Sequence, residues 1–498
     1  MSPRRVTLIT IGVMLALFVS AVEGTVVATA MPTIISDLGG LAIYSWVFSA
    51  YMLTSTVTVP IYGKWADLYG RRPVFLISMG LFLVGSFLSG HATDMTELIV
   101  FRALQGLGAG GLIPLSFIII GDLYNFEERA RMQGLFSGVW GVSSIIGPLL
   151  GGFLVDHVSW SWVFYVNIIP GIASALLVIL GWRGERTARA QTGQPVLPID
   201  FAGTGLLSGA VIALMLGLFN LGSAASLALM ALAAVLFVGL LWVERRAPDP
   251  ILPLPLFRGR LFSIANGQGL LAGWALFGSI SFVPLFAQGV LGASATLAGV
   301  TLTPETLSWT IAAIIGSRLL LRYGYRTIAL AGMVFLVIGS FLMTQLGPNS
   351  SLLWVMFCFG LMGAGMGLSL PAFLIAVQND VRREVMGTAT ATLQFSRSIG
   401  GTIGVSVMGA VLSWGLAAAL MAAGIDPATA PLSQLVDPVT GGAAAGVAFG
   451  DTLKIALAGG IRAVFVVALL ASVAGLVITA FAPRERIVSR KEGVATES

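Results

Sequence analysis

The chain has 498 residues, of which 57% are hydrophobic and only 10% charged, and its formal net charge is +5. Soluble domains carry about 25% charged residues, so this composition excludes a soluble globular protein and predicts an integral membrane protein whose apolar surface faces lipid. The positive charge does not indicate nucleic-acid binding, because the basic residues are spread between apolar runs.

Apolar runs long enough to cross a bilayer follow one another along the chain. A helix spans the hydrocarbon core with about 20 apolar residues. Arg4 and Arg5 before the first run imitate a signal peptide, but that run is too long for one and many similar runs follow. We therefore predict an all-α membrane protein with about fourteen transmembrane helices. The predicted spans are Val6–Ile35, Ala42–Ala66, Pro73–Gly90, Met95–Ile120, Met132–Val155, Trp162–Leu180, Phe201–Phe219, Ala225–Val243, Leu261–Leu291, Leu297–Leu321, Thr327–Leu346, Leu352–Ala376, Met386–Leu416 and Val464–Phe481.

The basic residues are distributed unevenly between the two sides of these spans. If the N-terminus is inside, all but four of the 27 Lys and Arg residues lie on the cytoplasmic side, the exceptions being Arg102, Arg397, Lys454 and Arg462. The positive-inside rule therefore predicts a multi-pass protein of the plasma (inner) membrane with both termini cytoplasmic. The outer stretch Gly446–Arg462 is either an amphipathic segment at the interface or a plain loop.

The chain resembles itself at an offset of about 254 residues. Lys64-x4-Tyr69-Gly70-x-Arg72 returns as Arg318-x4-Tyr323-Gly324-x-Arg326. Two such halves can rock about a site near the membrane midplane, which is the basis of alternating access. The predicted organisation is an N-terminal six-helix bundle (1–183), a cytoplasmic linker (184–200), an inserted helix pair (201–243), a second cytoplasmic linker (244–260), a C-terminal six-helix bundle (261–482) with an outer loop (417–463), and a cytoplasmic tail (483–498).

Four motifs carry a family resemblance. They are Gly63–Pro73 (GKWADLYGRRP), Arg102-x2-Gln105-Gly106-x-Gly108, Gly134-x8-Ser143-x3-Gly147-Pro148-x2-Gly151-Gly152, and Glu23-x-Thr25-Val26-Val27-x2-Ala30-x-Pro32. With them the chain resembles the major facilitator superfamily, specifically its fourteen-helix drug:proton antiporter branch. The pattern departs from the family's usual one at Ser143, where Gly is usual, and at Glu23, where Asp is usual. The resemblance implies a multidrug exporter of the major facilitator fold.

The first motif is the predicted cytoplasmic gate. The resemblance implies that Asp67, with Arg71 or Arg72, latches the cytoplasmic side when the substrate site faces outward. A carboxylate at a helix end can pair with an arginine or with the N-terminal dipole of a neighbouring helix; the alternative is a solvated loop charge. The predicted gate residues are Gly63, Asp67, Gly70, Arg71, Arg72 and Asp122.

Ionisable residues inside the predicted spans are the candidates for proton coupling. Each costs at least about 2.5–3.5 kcal/mol in the membrane, and the four are Glu23, Glu305, Arg397 and Arg102. Burial favours the neutral carboxyl and a nearby cation favours the ionised one, so Glu23 would exchange a proton as Arg397 or Arg102 approaches or withdraws. The alternative for Glu23 is a permanent ion pair. For Glu305 the alternatives are substrate contact and a structural hydrogen bond.

Helix five is predicted to be a hinge in which Pro148 produces a kink and small residues allow close packing; ordinary tight packing is the alternative. Its motif residues are Gly134, Ser143, Gly147, Pro148, Gly151 and Gly152.

The substrate cavity is predicted from aromatic and amide side chains within or near the spans. With few fixed polar groups it suits a lipophilic or amphipathic molecule, and Glu23 and Glu305 would attract a cationic one. The predicted lining is Trp46, Tyr51, Trp140, Asn266, Gln268, Trp274, Phe277, Gln288, Trp309 and Gln394.

Rival functions lack their motifs in this sequence. No Gly-x4-Gly-Lys-Ser/Thr loop is present, so ATP does not drive transport through this chain, and no His-Glu-x-x-His or Gly-x-Ser-x-Gly motif supports an enzyme. The predicted partners are a small-molecule substrate, protons and membrane lipids, with no cofactor, metal or nucleic acid, and the protein is expected to be a monomer. A dedicated exporter of an endogenous lipid, siderophore or metabolite is the main alternative, and a non-transporting sensor is a remote one.

Overall fold

The computed structural model describes residues 2–39, 43, 46–182, 200–219, 223–247, 250–252, 254–293, 295–422 and 451–484, and these residues form helices and connecting turns with no β-strand. The first predicted linker (184–200) and the predicted C-terminal tail fall largely outside this part, whereas most of the second linker (244–260) lies within it. The α-helices are α1 (Pro3–Leu38), α2 (Trp46–Tyr69), α3 (Arg71–Gly90), α4 (Met95–Leu123), α5 (Phe126–His157), α6 (Trp162–Tyr165), α7 (Ile168–Gly181), α8 (Phe201–Phe219), α9 (Ala224–Glu244), α10 (Arg260–Gly289), α11 (Ala295–Val300), α12 (Thr303–Tyr323), α13 (Tyr325–Met343), α14 (Leu352–Asp380), α15 (Met386–Ala422) and α16 (Asp451–Ala480).

Two helical halves flank an inserted pair. In the N-terminal half, α1 packs against α4, α5 and α7, while α2 and α3 both pack against α4. In the C-terminal half, α10 packs against α15 and α16, while α12 and α13 both pack against α14. Each half has its own apolar core, around Phe75 and Phe82 in the first and around Phe286 and Phe359 in the second.

The inserted helices α8 and α9 pack on each other and against the seam between the halves. Leu207 of α8 and Leu240 of α9 share an apolar cluster with Val57 of α2 and Ile399 of α15. At the end of α9 the buried Glu244 carboxylate accepts hydrogen bonds from the backbone N–H groups of Ile251 and Leu252, at 3.2 and 3.4 Å. The pair is thus tied to the chain that leads into the second half.

Two predicted spans are each divided into two helices. The predicted span Trp162–Leu180 is interrupted by a turn between α6 and α7, and Leu297–Leu321 by a turn between α11 and α12. Pro170 and Pro304 follow these turns closely. Because proline has no N–H to donate to the preceding turn, the helix restarts at this point.

The repeated motif forms the same turn in both halves. Gly70 between α2 and α3 has φ 94°, and Gly324 between α12 and α13 has φ 79°. These are left-handed conformations that glycine adopts without strain. The repeat seen in the sequence is therefore a repeated backbone geometry.

Eleven helical segments of the described chain are long and apolar enough to cross a membrane. The predicted spans that do not meet this standard lie in α2, α5 and α12, and these helices carry charged or hydroxyl side chains along their length. They are also helices at which the two halves meet, since α2 packs against α15 and α5 against α12. The count of fourteen spans stays a prediction.

The last helix differs from its predicted boundary. α16 begins at Asp451, thirteen residues before the predicted start at Val464, and is continuous to Ala480. The part of Gly446–Arg462 that the structure describes is therefore helical and continuous with the final span, which overturns the plain loop; its position at the interface stays a prediction. α15 likewise extends to Ala422, beyond its predicted end at Leu416.

Candidate functional site

Asp67 joins the two halves at the end of the molecule that carries the Gly63–Pro73 motif, the signature motif of the predicted gate. Its side chain is buried, and its carboxylate accepts hydrogen bonds from Gly387 N (3.0 Å), Thr388 N (2.7 Å) and Thr388 Oγ1 (2.7 Å) at the start of α15. The first N–H groups of a helix are unpaired and carry a partial positive charge. A carboxylate from one half thus caps a helix of the other.

Arg71 connects Asp67 to a second acid. Its Nη1 lies 2.8 Å from Asp67 Oδ1 and its Nε lies 2.7 Å from Asp122 Oδ2. Arg383 of the C-terminal half approaches the same Asp122 at 3.4 Å and donates to its backbone carbonyl at 3.1 Å. Arg72, the other arginine predicted for the latch, forms no hydrogen bond or ion pair with any described residue.

Two glycines bring α2 and α15 together at this cluster. A Cβ on Gly63 would overlap the Ala391 methyl group and lie 3.0 Å from the Gly387 carbonyl oxygen, and a Cβ on Gly387 would lie 2.8 Å from the Gly63 carbonyl oxygen. The carboxylate of Asp67 therefore reaches the N-terminus of α15 because neither helix has a side chain at the crossing. The gate residue Gly70 provides the turn that follows.

Further contacts between the halves lie beside this cluster. Gln378 Nε2 of α14 donates to the Phe117 carbonyl of α4 and to Thr390 Oγ1 of α15, both at 3.2 Å. Thr310 of α12 donates to the Ser137 carbonyl of α5 at 3.0 Å. Every hydrogen bond between the halves among the described residues lies at this end of the helices or near their middle, so the molecule is closed here.

A buried polar network surrounds Glu23 in the N-terminal half. One carboxylate oxygen of Glu23 pairs with Arg102 and the other accepts a hydrogen bond from Asn167. Arg102 Nη1 also donates to Gln105 Oε1 at 2.7 Å, and its guanidinium lies 4.1 Å from the centre of the Tyr51 ring. Both carboxylate oxygens are therefore occupied inside one half.

The network contains residues that the sequence analysis missed. Ser86 of α3 accepts hydrogen bonds from Gln105 and Asn167, both at 3.2 Å, and donates to the Phe164 carbonyl at 2.8 Å. Asn167 lies in the turn between α6 and α7, where the proline-induced break frees it from the helix. An amide within the apolar run 162–180 was the available signal, because polar side chains at membrane depth are rare.

Glu305 is the contrasting acid of the C-terminal half. It lies in the first turn of α12 and is 4% exposed. Its Oε2 accepts a hydrogen bond from the neighbouring Thr306 hydroxyl at 3.1 Å, while Oε1 is buried and has no hydrogen-bond partner among the described residues. No described basic residue forms a salt bridge with it. The structure does not bring Glu305 together with Arg397 or Arg102.

The motif on helix five packs against both halves. A Cβ on Gly134 would meet Ile314 of α12 at 3.2 Å, and one on Gly147 would overlap the Thr25 hydroxyl of α1. Ser143 is buried and its hydroxyl has no hydrogen bond, while Gly151 is buried and Gly152 faces open space. The side chain of Pro148 lies outside the described part of the chain, so its predicted kink stays a prediction.

The predicted cavity residues separate into two groups. Asn266 and Gln268 are buried inside the C-terminal half: Asn266 accepts from Ser396, and Gln268 donates to Ser369 and to the Met333 sulfur. Tyr51 lies over Arg102. These three contact neighbouring helices of their own half, which differs from the predicted lining. The others are half-buried or partly exposed, namely Trp46, Trp140, Trp274, Phe277, Gln288, Trp309 and Gln394.

The chain is similar in sequence to a known transporter family and to two bacterial proteins. The sequence profile of the Major Facilitator Superfamily matches residues 13–405. The chain is 41% identical over 413 residues to the multidrug transporter protein MdtP of Bacillus subtilis (strain 168), covering 82% of this chain and 75% of that protein. It is 36% identical over 409 residues to multidrug resistance protein 3 of the same organism, covering 81% and 79%.

Solved structures share the fold at low sequence identity. The human organic anion transporter MFSD10 (TETRAN) superposes with a TM-score of 0.63 at 14% identity, covering 97% of this chain and 100% of that chain. The proton:xylose symporter XylE bound to 6-bromo-6-deoxy-D-glucose gives 0.62 at 13% identity, covering 96% and 95%. At this identity the likeness concerns the fold alone.

Proposed function

Because the chain belongs to the major facilitator superfamily, we propose that it exports lipophilic or amphipathic small molecules across the plasma membrane by alternating access, with proton entry as the driving force. As a family member it is a multi-pass membrane transporter and not an enzyme. The proposal adds the direction of transport, fourteen spans, cytoplasmic termini and a monomer as the working unit. The names of the two Bacillus relatives favour a multidrug exporter.

One observation carries the proton-coupled part of the proposal: the buried Glu305 has a carboxyl oxygen without a hydrogen-bond partner in the part of the chain that the structure describes. An ionised carboxylate without a cation or donors is very costly in an apolar environment, whereas the protonated group is much less so. Glu305 thus holds a proton in this conformation and releases it when the halves rearrange. Glu23 is the second candidate, because it would accept a proton only after Arg102 moves away.

The contacts between the halves define the conformational part of the proposal. Asp67, Arg71, Asp122 and Arg383 form one connected cluster, and Asp67 caps α15. For this end to open, Asp67 must leave the start of α15 and Arg383 must leave Asp122. We assign this end to the cytoplasm from the charge bias of the loops, so the structure corresponds to the state in which the substrate site faces outward.

The experiment is export from proteoliposomes of an amphipathic dye under an imposed pH gradient. The expected result is uphill dye movement that stops when a protonophore collapses the gradient. Dye movement that is independent of the pH gradient would contradict proton coupling. The absence of dye movement under every driving force would favour a non-transporting sensor. Growth-inhibition assays against a drug and dye panel then separate broad export from a dedicated exporter of one endogenous compound.

A further inference from the structure

One basic side chain inside a membrane-spanning helix has no partner among the described residues. Arg397 of α15 is half-buried and forms no hydrogen bond or salt bridge with the described chain. By contrast, Arg102 is neutralised by Glu23. A guanidinium at membrane depth is costly unless an acceptor satisfies it. Arg397 therefore indicates a partner that the described chain does not supply.

The contacts of α15 show the direction in which Arg397 points. Thr390 accepts a hydrogen bond from the Gln378 amide, which also donates to the Phe117 carbonyl of α4. Thr390 thus faces the point where α4, α14 and α15 meet, between the halves. Arg397 follows Thr390 by about two helical turns, so it projects from nearly the same face, about 10 Å farther from the closed end.

Other faces of α15 are already covered by neighbouring helices. Ala391 faces Gly63 of α2, and Gly400 faces Leu270 of α10. Ile399 belongs to the apolar cluster with α8 and α9. Gly404 and the stem of Arg397 also pack on α10, at Trp274 and Gly273, so Arg397 stands at the edge of the α10 contact, on the side toward Thr390.

Exposure rises along this face from Thr390 to Arg397, and beyond it Gly401, Gly404 and Met408 are buried again. Thr390 is 1% exposed, while Gln394 and Arg397 are half-buried. Gly273 of α10 leaves room for the stem of the arginine, since a Cβ there would lie 3.2 Å from Arg397 Cγ. The side chain of Arg397 is therefore partly accessible, about two helical turns from Thr390 at the closed end.

We propose that Arg397 binds the acidic group of an amphipathic substrate, a carboxylate, sulfonate or phosphate on an apolar body. This inference rests on the proposed export function and names its substrate class. The planar guanidinium matches two oxygens of such a group. Gln394 adds an amide one turn toward the closed end, and Phe277, packed on Gly401 one turn outward, offers apolar surface.

The two buried acids do not provide the same face with a negative charge. Glu23 is neutralised by Arg102 inside the N-terminal half. Glu305 is buried between α12 and α14, with its backbone carbonyl against Gly363. The sequence predicts that Glu23 and Glu305 attract a cationic substrate. A cation at this face of α15 would instead meet the positive charge of Arg397.

The test is equilibrium binding to the purified full-length protein in neutral detergent, followed by fluorescence anisotropy. Three probes share one apolar body and differ in the head group: 1-pyrenebutyrate, 1-pyrenebutanol and a pyrenebutyl-trimethylammonium salt. Since a hydrogen bond to a charged group contributes about 1.5–3 kcal/mol, the wild type should bind pyrenebutyrate about tenfold or more tightly than pyrenebutanol.

Three variants make the assignment specific. Arg397→Met should lose the preference for pyrenebutyrate and keep its affinity for pyrenebutanol, which also shows that the protein is folded. Arg397→Lys should keep part of the preference. Arg260→Met, which removes an exposed arginine at the start of α10, is the matched control and should bind like the wild type.

Several results would overturn the inference. They are a wild-type preference for the ammonium probe, equal binding of the acid and the alcohol, and an unchanged preference in Arg397→Met. An anionic lipid head group has the same chemistry, so dihexanoyl-phosphatidylglycerol is added as a competitor; binding of this lipid without any binding of pyrenebutyrate would also overturn it. The binding measurement uses no pH gradient and is therefore independent of the export experiment. If the protein prefers pyrenebutyrate but shows no proton-driven export, the proposed function fails while the assignment of Arg397 stands.

Discussion

The two halves each bury one glutamate, and the two sites are built in opposite ways. In the N-terminal half both oxygens of Glu23 have partners, one being an arginine. In the C-terminal half, within the described ranges, one oxygen of Glu305 bonds only to the adjacent threonine and the other has no partner. Similar burial thus produces two different groups: an ion pair between helices of one half and a carboxyl without a cation, which we propose to be the group that binds and releases a proton.

The largest expected effect on stability comes from removing one partner of the Glu23–Arg102 ion pair. Arg102→Met leaves the Glu23 carboxylate buried without its cation, which costs about 3–5 kcal/mol. We expect a lower melting temperature in detergent and little folded protein. The double variant Glu23→Gln with Arg102→Gln removes both charges and should recover most of the stability. Equal melting temperatures for wild type and Arg102→Met would show that the pair is not structural.

A third buried acid, Asp67, extends the comparison because its partners lie in both halves. Asp67→Asn weakens the contacts with Arg71 and the start of α15, each of which is charge-assisted and contributes about 1.5–3 kcal/mol. We expect a folded protein whose closed state is depopulated and whose export is reduced at least tenfold, measured in proteoliposomes. Asp380→Asn changes an exposed acid at the same end and serves as the control. Wild-type export by Asp67→Asn would refute the latch.

The close approach of α2 and α15 can be tested without changing any charge. Gly63→Ala places a methyl group against Ala391, and overpacking of this kind costs about 1–3 kcal/mol. We expect slower export, and faster labelling by a thiol reagent of cysteines introduced near the turn at Gly70. Gly80→Ala is the control, because a Cβ at Gly80 meets nothing within 4 Å. The close approach would be unimportant if both variants behaved alike.

The smallest effect on stability is expected at Glu305, which has no cationic partner among the described residues. Glu305→Gln removes no ion pair, so the free energy of unfolding should change by less than about 1 kcal/mol. The melting temperature in detergent should shift correspondingly little. Glu127→Gln, at an exposed acid on α5, should match it in stability. A loss of stability as large as that of Arg102→Met would mean that Glu305 has a structural partner.

Much of the architecture was accessible from the sequence because it depends on local chemistry. Apolar run length marks most spans, and the glycine-containing turn at Gly70 reappears at Gly324 because both backbones need positive φ. The divisions of two spans follow from Pro170 and Pro304, which a count of apolar residues does not register. The start of α16 at Asp451 was missed because Lys454 and Arg462 were assigned to a loop.

The site was less accessible because its partners are distant in sequence. Nothing local to Glu23 chooses between Arg102 and Arg397; the choice depends on how α1, α4 and the break before α7 pack. Asn266 and Gln268 were expected in the cavity, but α10 is apolar around most of its circumference, so its pattern does not reveal which face meets its own bundle. Asp67 was accessible because it lies at a helix end beside Arg71.

The most direct test of the central claim measures proton movement itself. Proteoliposomes containing a pH-sensitive dye are given an outward substrate gradient without any imposed pH gradient. The wild type and the double variant Glu23→Gln with Arg102→Gln should move protons as substrate moves, while Glu305→Gln should move substrate down its gradient with no proton signal. Substrate-linked proton movement by Glu305→Gln at the wild-type ratio would contradict the account.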